Sequence, residues 1–215
     1  MMNKTETLRG YARLAPVIPV VTIEDARLSI DLAQTLVEAG LPVVEVTLRT
    51  PAALDAIAAI AKAVPDAVVA AGTVLHPSQI KEVADAGAKF IVTPGTPLRL
   101  AEALAEAPIP VMPGCSTVSE AMGLSSLGFE ALKFFPAMAS GGAAWLKGVQ
   151  GPLPKLGFCP TGGVDLANAP SLLALSNVLC VGGTWMAPQA ALKAGDFKTI
   201  GTLAREAAAL RPRRD

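Results

Sequence analysis

The chain has 215 residues, of which 52% are hydrophobic and 17% charged, with 18 basic and 18 acidic side chains. That length can bury a substantial core, and so apolar a composition excludes a disordered chain. The balanced charge leaves no footprint for nucleic acid, and no run of ~18 apolar residues escapes a charge, Gly or Pro, as a membrane span would require.

Residues 1–15 form a short polar segment without the apolar stretch of a secretory signal. Apolar runs that read as buried strands then alternate with helical periodicity to the end of the chain. Strands are expected over residues 17–21, 43–48, 67–72, 90–93, 109–114, 131–134, 158–160 and 178–181. Helices are expected over 24–39, 51–64, 77–86, 97–107, 118–126, 143–149, 167–175, 188–194 and 197–209, the last ending in a basic tail at 211–215. Pro51, Pro77 and Pro97 stand where a first helical residue would be, since the missing proline N–H is unpaired there anyway. Gly40, Gly87, Gly128 and Gly195 follow helices, where a left-handed residue is common.

Eight strand–helix units imply parallel strands with helical crossovers. The expected fold is a single α/β domain over 1–215, a (β/α)8 TIM barrel of eight parallel strands with outer helices. An open doubly wound sheet is the alternative, but no GxGxxG follows the first strand.

In such a barrel the chemistry gathers at the C-terminal strand ends. Strand two reads Val43-Val44-Glu45-Val46-Thr47-Leu48-Arg49. Side chains alternate along a strand, so Glu45, Thr47 and Arg49 share one face and Val44, Val46 and Leu48 the other. The apolar set suits the helices, which turns the polar set inward. The same parity turns Lys133 and Phe135 inward within Ala131-Leu132-Lys133-Phe134-Phe135-Pro136. A lysine removed from water favours its neutral, nucleophilic form, as a Schiff-base lysine requires. The plainer reading of Lys133 is a strand-end lysine reaching solvent, and of the Glu–Lys pair a structural ion pair. Thr73 ends strand three. Thr161-Gly162-Gly163 and Gly182-Gly183-Thr184 follow the last two strands, where glycines let backbone N–H groups approach an anion and where barrels of this kind hold phosphate. As a plainer reading, each glycine pair makes a tight turn. His76 is the only histidine, so no metal site is expected. Cys115, Cys159 and Cys180 form no CxxC pair and read as reduced core residues, which points to the cytoplasm.

Glu45-Val46-Thr47-Leu48-Arg49-Thr50, Ala71-Gly72-Thr73-Val74, Phe90-Ile91-Val92-Thr93-Pro94-Gly95, Met112-Pro113-Gly114, Leu132-Lys133-Phe134-Phe135-Pro136-Ala137 and Cys159-Pro160-Thr161-Gly162-Gly163-Val164 occur in this order. In these segments the chain resembles the 2-keto-3-deoxy-6-phosphogluconate (KDPG) and 4-hydroxy-2-oxoglutarate aldolase family. The resemblance implies a Schiff-base lyase of the Entner–Doudoroff pathway, homotrimeric, without metal or other cofactor, acting on a small keto-deoxy phosphosugar acid. It implies that Lys133 forms the Schiff base and Glu45 is the general acid/base. Arg49 and Thr73 would hold the pyruvate carboxylate, with Pro94 and Phe135 as apolar walls. Thr161, Gly162, Gly163, Gly183 and Thr184 would hold the phosphate end. Thr184 stands where the family tends to have serine, and Met138 where many relatives carry an acid. The galactonate epimer as substrate, an isomerase or epimerase on the same scaffold, and a non-catalytic sugar-phosphate binder are the alternatives.

Overall fold

The computed structural model describes residues 4–210; the basic tail lies outside them. The elements run α1 (Lys4–Ala12), β1 (Val17–Val21), a 3₁₀ turn (Ala26–Leu28), α2 (Ser29–Glu38), β2 (Val43–Thr47), α3 (Ala53–Ala63), β3 (Val68–Gly72), α4 (Ser78–Asp85), β4 (Phe90–Val92) and α5 (Leu98–Ala105). There follow β5 (Val111–Met112), β6 (Gly114–Cys115), α6 (Val118–Ser126), β7 (Ala131–Phe134), α7 (Gly142–Gln150), β8 (Gly157–Pro160), α8 (Ala169–Leu173), β9 (Val181–Gly183), α9 (Gln189–Lys193) and α10 (Phe197–Ala208).

The closed barrel of eight strands expected from the sequence is not what forms. Among the described residues nine strands divide into a six-stranded half-barrel sheet, in the order β5-β4-β3-β2-β1-β9, and a three-stranded sheet, β6-β7-β8. All the pairings are parallel. The expected fifth strand breaks in two at Pro113, which has no N–H to donate to a ladder. Its first half pairs with β4 and its second with β7. On the other side, β8 meets the segment around β9 only at two isolated bridges, Phe158↔Val178 and Thr161↔Gly182.

Burial follows the alternation read in the sequence. Val44, Val46, Leu132 and Phe134 pack with the helices in one large cluster. Val43, Ala70, Phe90, Ala131, Cys159 and Cys180 form a second, smaller cluster together with Leu8 and Ala12 of α1. Helix α1 falls in the segment expected to be merely polar. It covers the N-terminal end of the strands, with Tyr11 stacked on Phe90 at 6.0 Å, Lys4 Nζ donating to Ala107 O and Arg9 to Lys155 O at 2.6 Å. The four glycines after helices do adopt positive φ, from 66° at Gly195 to 94° at Gly87. The prolines sit earlier than expected: Pro77 and Pro97 are N-cap residues, and Pro51 precedes α3 by two positions. Among the described residues no helix is long and apolar enough to cross a membrane.

Candidate active site

Lys133 lies in mid-β7, 5% exposed, with Gly114 and Cys159 as its register neighbours. Glu45 lies in mid-β2, 4% exposed, between Val20 and Ala70. The two strands belong to different sheets, yet Lys133 Nζ donates to Glu45 Oε1 at 2.8 Å and to Oε2 at 3.1 Å. The lysine therefore does not reach solvent. A buried ammonium or carboxylate alone would be costly, and here each satisfies the other. The Phe135 ring centroid lies 5.7 Å from Nζ.

Gly72 leaves room for this pair. A Cβ on Gly72 would overlap Glu45 Oε1 and lie 2.6 Å from its Cγ. Sequence reasoning missed that role, which depends on the register Thr47↔Gly72. The next residue, Thr73, is the one non-glycine with positive φ among the described residues, at 60°. That conformation is unfavourable for a β-branched side chain. Thr47 is fully buried and bonds to Thr22 Oγ1 at 2.9 Å and to Val21 O at 3.1 Å. Arg49 is exposed just past the end of β2, with no ion pair among the described residues.

The turn after β7 is laid along the loop after β8. Ala137 N–H donates to Thr161 O at 2.7 Å and Met138 N–H to Gly162 O at 3.1 Å. Gly162 and Gly163 both have positive φ, 96° and 72°. A Cβ on Gly162 would come 3.1 Å from the Phe135 ring, and one on Gly163 would come 2.9 Å from Met138 Cβ. Among the described residues, the backbone N–H groups of Gly162, Gly163 and Val164 donate to no backbone acceptor. Thr161 bridges to Gly182, where a Cβ would overlap the Thr161 hydroxyl. Thr184 is exposed and Gly183 is covered by the Trp185 ring. Pro94 is half-buried against Gly114.

The structure thus joins Lys133 and Glu45 by direct hydrogen bonds and sets the Phe135 ring between Lys133 Nζ and Gly162 of the loop after β8. Arg49, Thr73, Pro94 and Thr184 share the C-terminal side of the strands, and among the described residues none of them forms a hydrogen bond or ion pair with the Lys133 side chain. Cys159 is buried in the core as expected and is also the register neighbour of Lys133. Its acidity is raised, its pKa falling below the usual thiol value, first by a hydrogen bond from Cys180 and then by the charge of Lys133. Cys180 shifts the opposite way for the same hydrogen bond and for burial. His76 is exposed. Among the described residues no three His, Cys, Asp or Glu side chains could share a metal ion.

The family model for KDPG and KHG aldolase matches residues 9–203. The 2-dehydro-3-deoxy-phosphogluconate aldolase of Dickeya dadantii is 49% identical over 209 residues, 97% of this chain and 98% of that protein. The crystal structure of the Zymomonas mobilis 2-keto-3-deoxy-6-phosphogluconate aldolase with 3-phosphoglycerate superposes with a TM-score of 0.92. It is 39% identical, with 97% of this chain and 98% of that one covered. The Legionella pneumophila KDPG aldolase, with pyruvate captured as a covalent carbinolamine, gives a TM-score of 0.90 at 40% identity, covering 93% and 97%.

Proposed function

This chain belongs to the KDPG and KHG aldolase family, and on that footing we propose that it cleaves 2-dehydro-3-deoxy-6-phosphogluconate to pyruvate and glyceraldehyde 3-phosphate. It is a lyase, and the reaction proceeds through a Schiff base on Lys133. The observation that carries this reading is the buried contact of 2.8 Å between Lys133 Nζ and Glu45 Oε1.

Transfer of one proton along that contact leaves an amine with a free lone pair beside a carboxylic acid. The amine attacks the C2 ketone and forms a carbinolamine. Loss of water, protonated by the Glu45 acid, gives the iminium. The iminium accepts the electron pair of the C3–C4 bond as Glu45, again a carboxylate, takes the C4 hydroxyl proton. Glyceraldehyde 3-phosphate leaves, Glu45 returns the proton to C3 of the enamine, and hydrolysis frees pyruvate and the amine. One carboxylate placed beside the nitrogen can serve each transfer.

Arg49 suits the substrate carboxylate, because its fork binds both oxygens and no ion pair among the described residues engages it. Thr73 would add its hydroxyl to the contact with that carboxylate. Pro94 and Phe135 exclude water. The unengaged amides of Gly162 and Gly163, with Gly183 and the hydroxyls of Thr161 and Thr184, form a neutral anion cradle. Cleavage of 4-hydroxy-2-oxoglutarate needs the same lysine and acid without the phosphate, and the family's name covers both substrates. No metal or other cofactor is required by this sequence of steps. The three free, buried thiols suit a cytoplasmic enzyme. Exposed Leu75 and Leu98, which line one depression with Pro94 and Pro97, suit a homotrimer contact. Light scattering at three times the 21.9 kDa chain mass tests that assembly.

The decisive experiment is borohydride reduction in the presence of pyruvate, read by intact mass. The wild type should gain the pyruvyl adduct, and Lys133→Ala should gain none and lose cleavage of both substrates. An adduct of wild-type yield in Lys133→Ala would refute the assignment. Glu45→Gln should slow turnover ~10²–10⁴-fold while the adduct remains detectable.

A further inference from the structure

The break in the fifth strand lies directly beside the nucleophile's strand, and a closed ring of hydrogen bonds spans it. Gly114 N–H donates to Thr93 Oγ1 at 2.8 Å. The Thr93 and Thr96 hydroxyls are 2.8 Å apart, and Thr96 Oγ1 donates to Gly114 O at 2.9 Å. Only one assignment of the hydroxyl protons satisfies all three contacts. Gly114 gives its proton to Thr93, Thr93 gives its own to Thr96, and Thr96 returns one to the Gly114 carbonyl.

Pro113 ends the ladder to β4, so Gly114 would otherwise be left with a buried N–H lacking a partner. Leaving one costs more than an ordinary hydrogen bond gains. The ring supplies side-chain partners in place of the missing backbone ones. Thr93 is fully buried, and Gly114 lies so close that a Cβ there would come within 2.5 Å of Pro94 C. The ring therefore fixes β6 against the end of β4 in a space with no slack.

The far side of the same segment holds Lys133. Its N–H donates to Pro113 O at 2.9 Å, and it pairs in register with Gly114. Since β5 ladders with β4 and β6 with β7, this two-threonine ring ties the end of β4, in the Glu45 sheet, to the segment beside Lys133 on this side of the molecule.

We propose that Thr93, with Thr96 as its relay, is a positioning residue for the Schiff-base lysine: the hydroxyl ring holds the broken strand in register so that Lys133 Nζ meets Glu45. Neither hydroxyl touches substrate or takes part in a proton transfer of the reaction. The inference rests on the Lys133 reading above, which the adduct experiment decides by itself.

The test replaces Thr93 by valine, which keeps the shape and removes the oxygen, and by serine, which keeps the oxygen. Thr93→Val should lower kcat and the single-turnover rate of imine formation by about 10–100-fold, the loss expected from displacing a reacting group by about 1 Å. The KM should change little, and the Gly114 amide should lose its protection from hydrogen exchange. Thr93→Ser should recover kcat to within about threefold of wild type. Thr96→Val, at a half-buried position, should shift kcat in the same direction, and it carries the test should Thr93→Val not yield folded protein. Ile200→Ala, which removes a fully buried side chain from α10, controls for lost stability. Measured where it remains folded, it should keep wild-type kcat. The proposal is overturned if Thr93→Val turns over at the wild-type rate, if Thr93→Ser is as slow as Thr93→Val, or if Ile200→Ala is slowed equally.

Discussion

A methyl group on Gly72 would strike Glu45 at the carboxylate that Lys133 grips. Gly72→Ala should therefore tilt the acid away and lower kcat ~10²-fold, while borohydride still traps pyruvate on Lys133; a variant that keeps wild-type kcat would show that Glu45 has room to spare. Burial acts on titration as well as on space. Burial, with a smaller contribution from Glu120, pushes the Cys115 thiol up to about 12 from an ordinary 9.0. The thiol stays protonated in the folded chain when the unfolded chain has already released its proton, so stability falls as pH rises above 9 toward 12. Cys115→Ala should flatten that part of the Tm–pH curve, and an unchanged slope would remove the thiol as its cause. Strand parity was enough to turn Lys133 and Glu45 inward, because alternation is a property of each strand alone. The clearance at Gly72 and the ring at Thr93 were not legible, since both depend on which residues lie opposite across strands distant in sequence.

Trp145 of α7 stacks on Phe134 at 4.2 Å and meets Phe158 edge-on at 5.4 Å, fastening that helix to β7 and β8. Trp145→Ala should cost about 3 kcal/mol of unfolding free energy in a urea titration; a loss below about 1 kcal/mol would mean that the helix is held by other contacts. At this scale the alternation of strands and helices was readable because buried parallel strands are continuous apolar runs and helices carry an apolar stripe. Two elements escaped. Helix α1 buries only Leu8 and Ala12, so it carries no stripe to read. It gains its place from Lys4 and Arg9, which reach carbonyls 103 and 146 residues away. The split of the fifth strand was visible as Pro113, but an apolar run around a proline does not reveal that its two halves will pair with different neighbours.

Over the whole molecule, the strand count suggested closure, yet counting units says nothing about ladder continuity. The seam between β8 and β9 is held by two isolated bridges, whereas β2 is laddered on both sides. Amides at the seam, such as Leu179, which donates to Phe158 O, should exchange with solvent at least ~10-fold faster than those of Val44 and Val46; equal protection would mean that the two sheets open as one. The opposite end is stoppered: α1 lies across the strand N-termini, with Leu8 and Ala12 almost fully buried. Departure past that end is barred by α1, so fragments formed at Lys133 leave from the other end of the strands. On the proposed mechanism pyruvate stays bonded to Lys133 after the C3–C4 bond breaks, so the fragments should depart in fixed order, glyceraldehyde 3-phosphate before pyruvate. Pyruvate should then inhibit cleavage competitively and the triose phosphate non-competitively, and the reverse pattern would require a back exit.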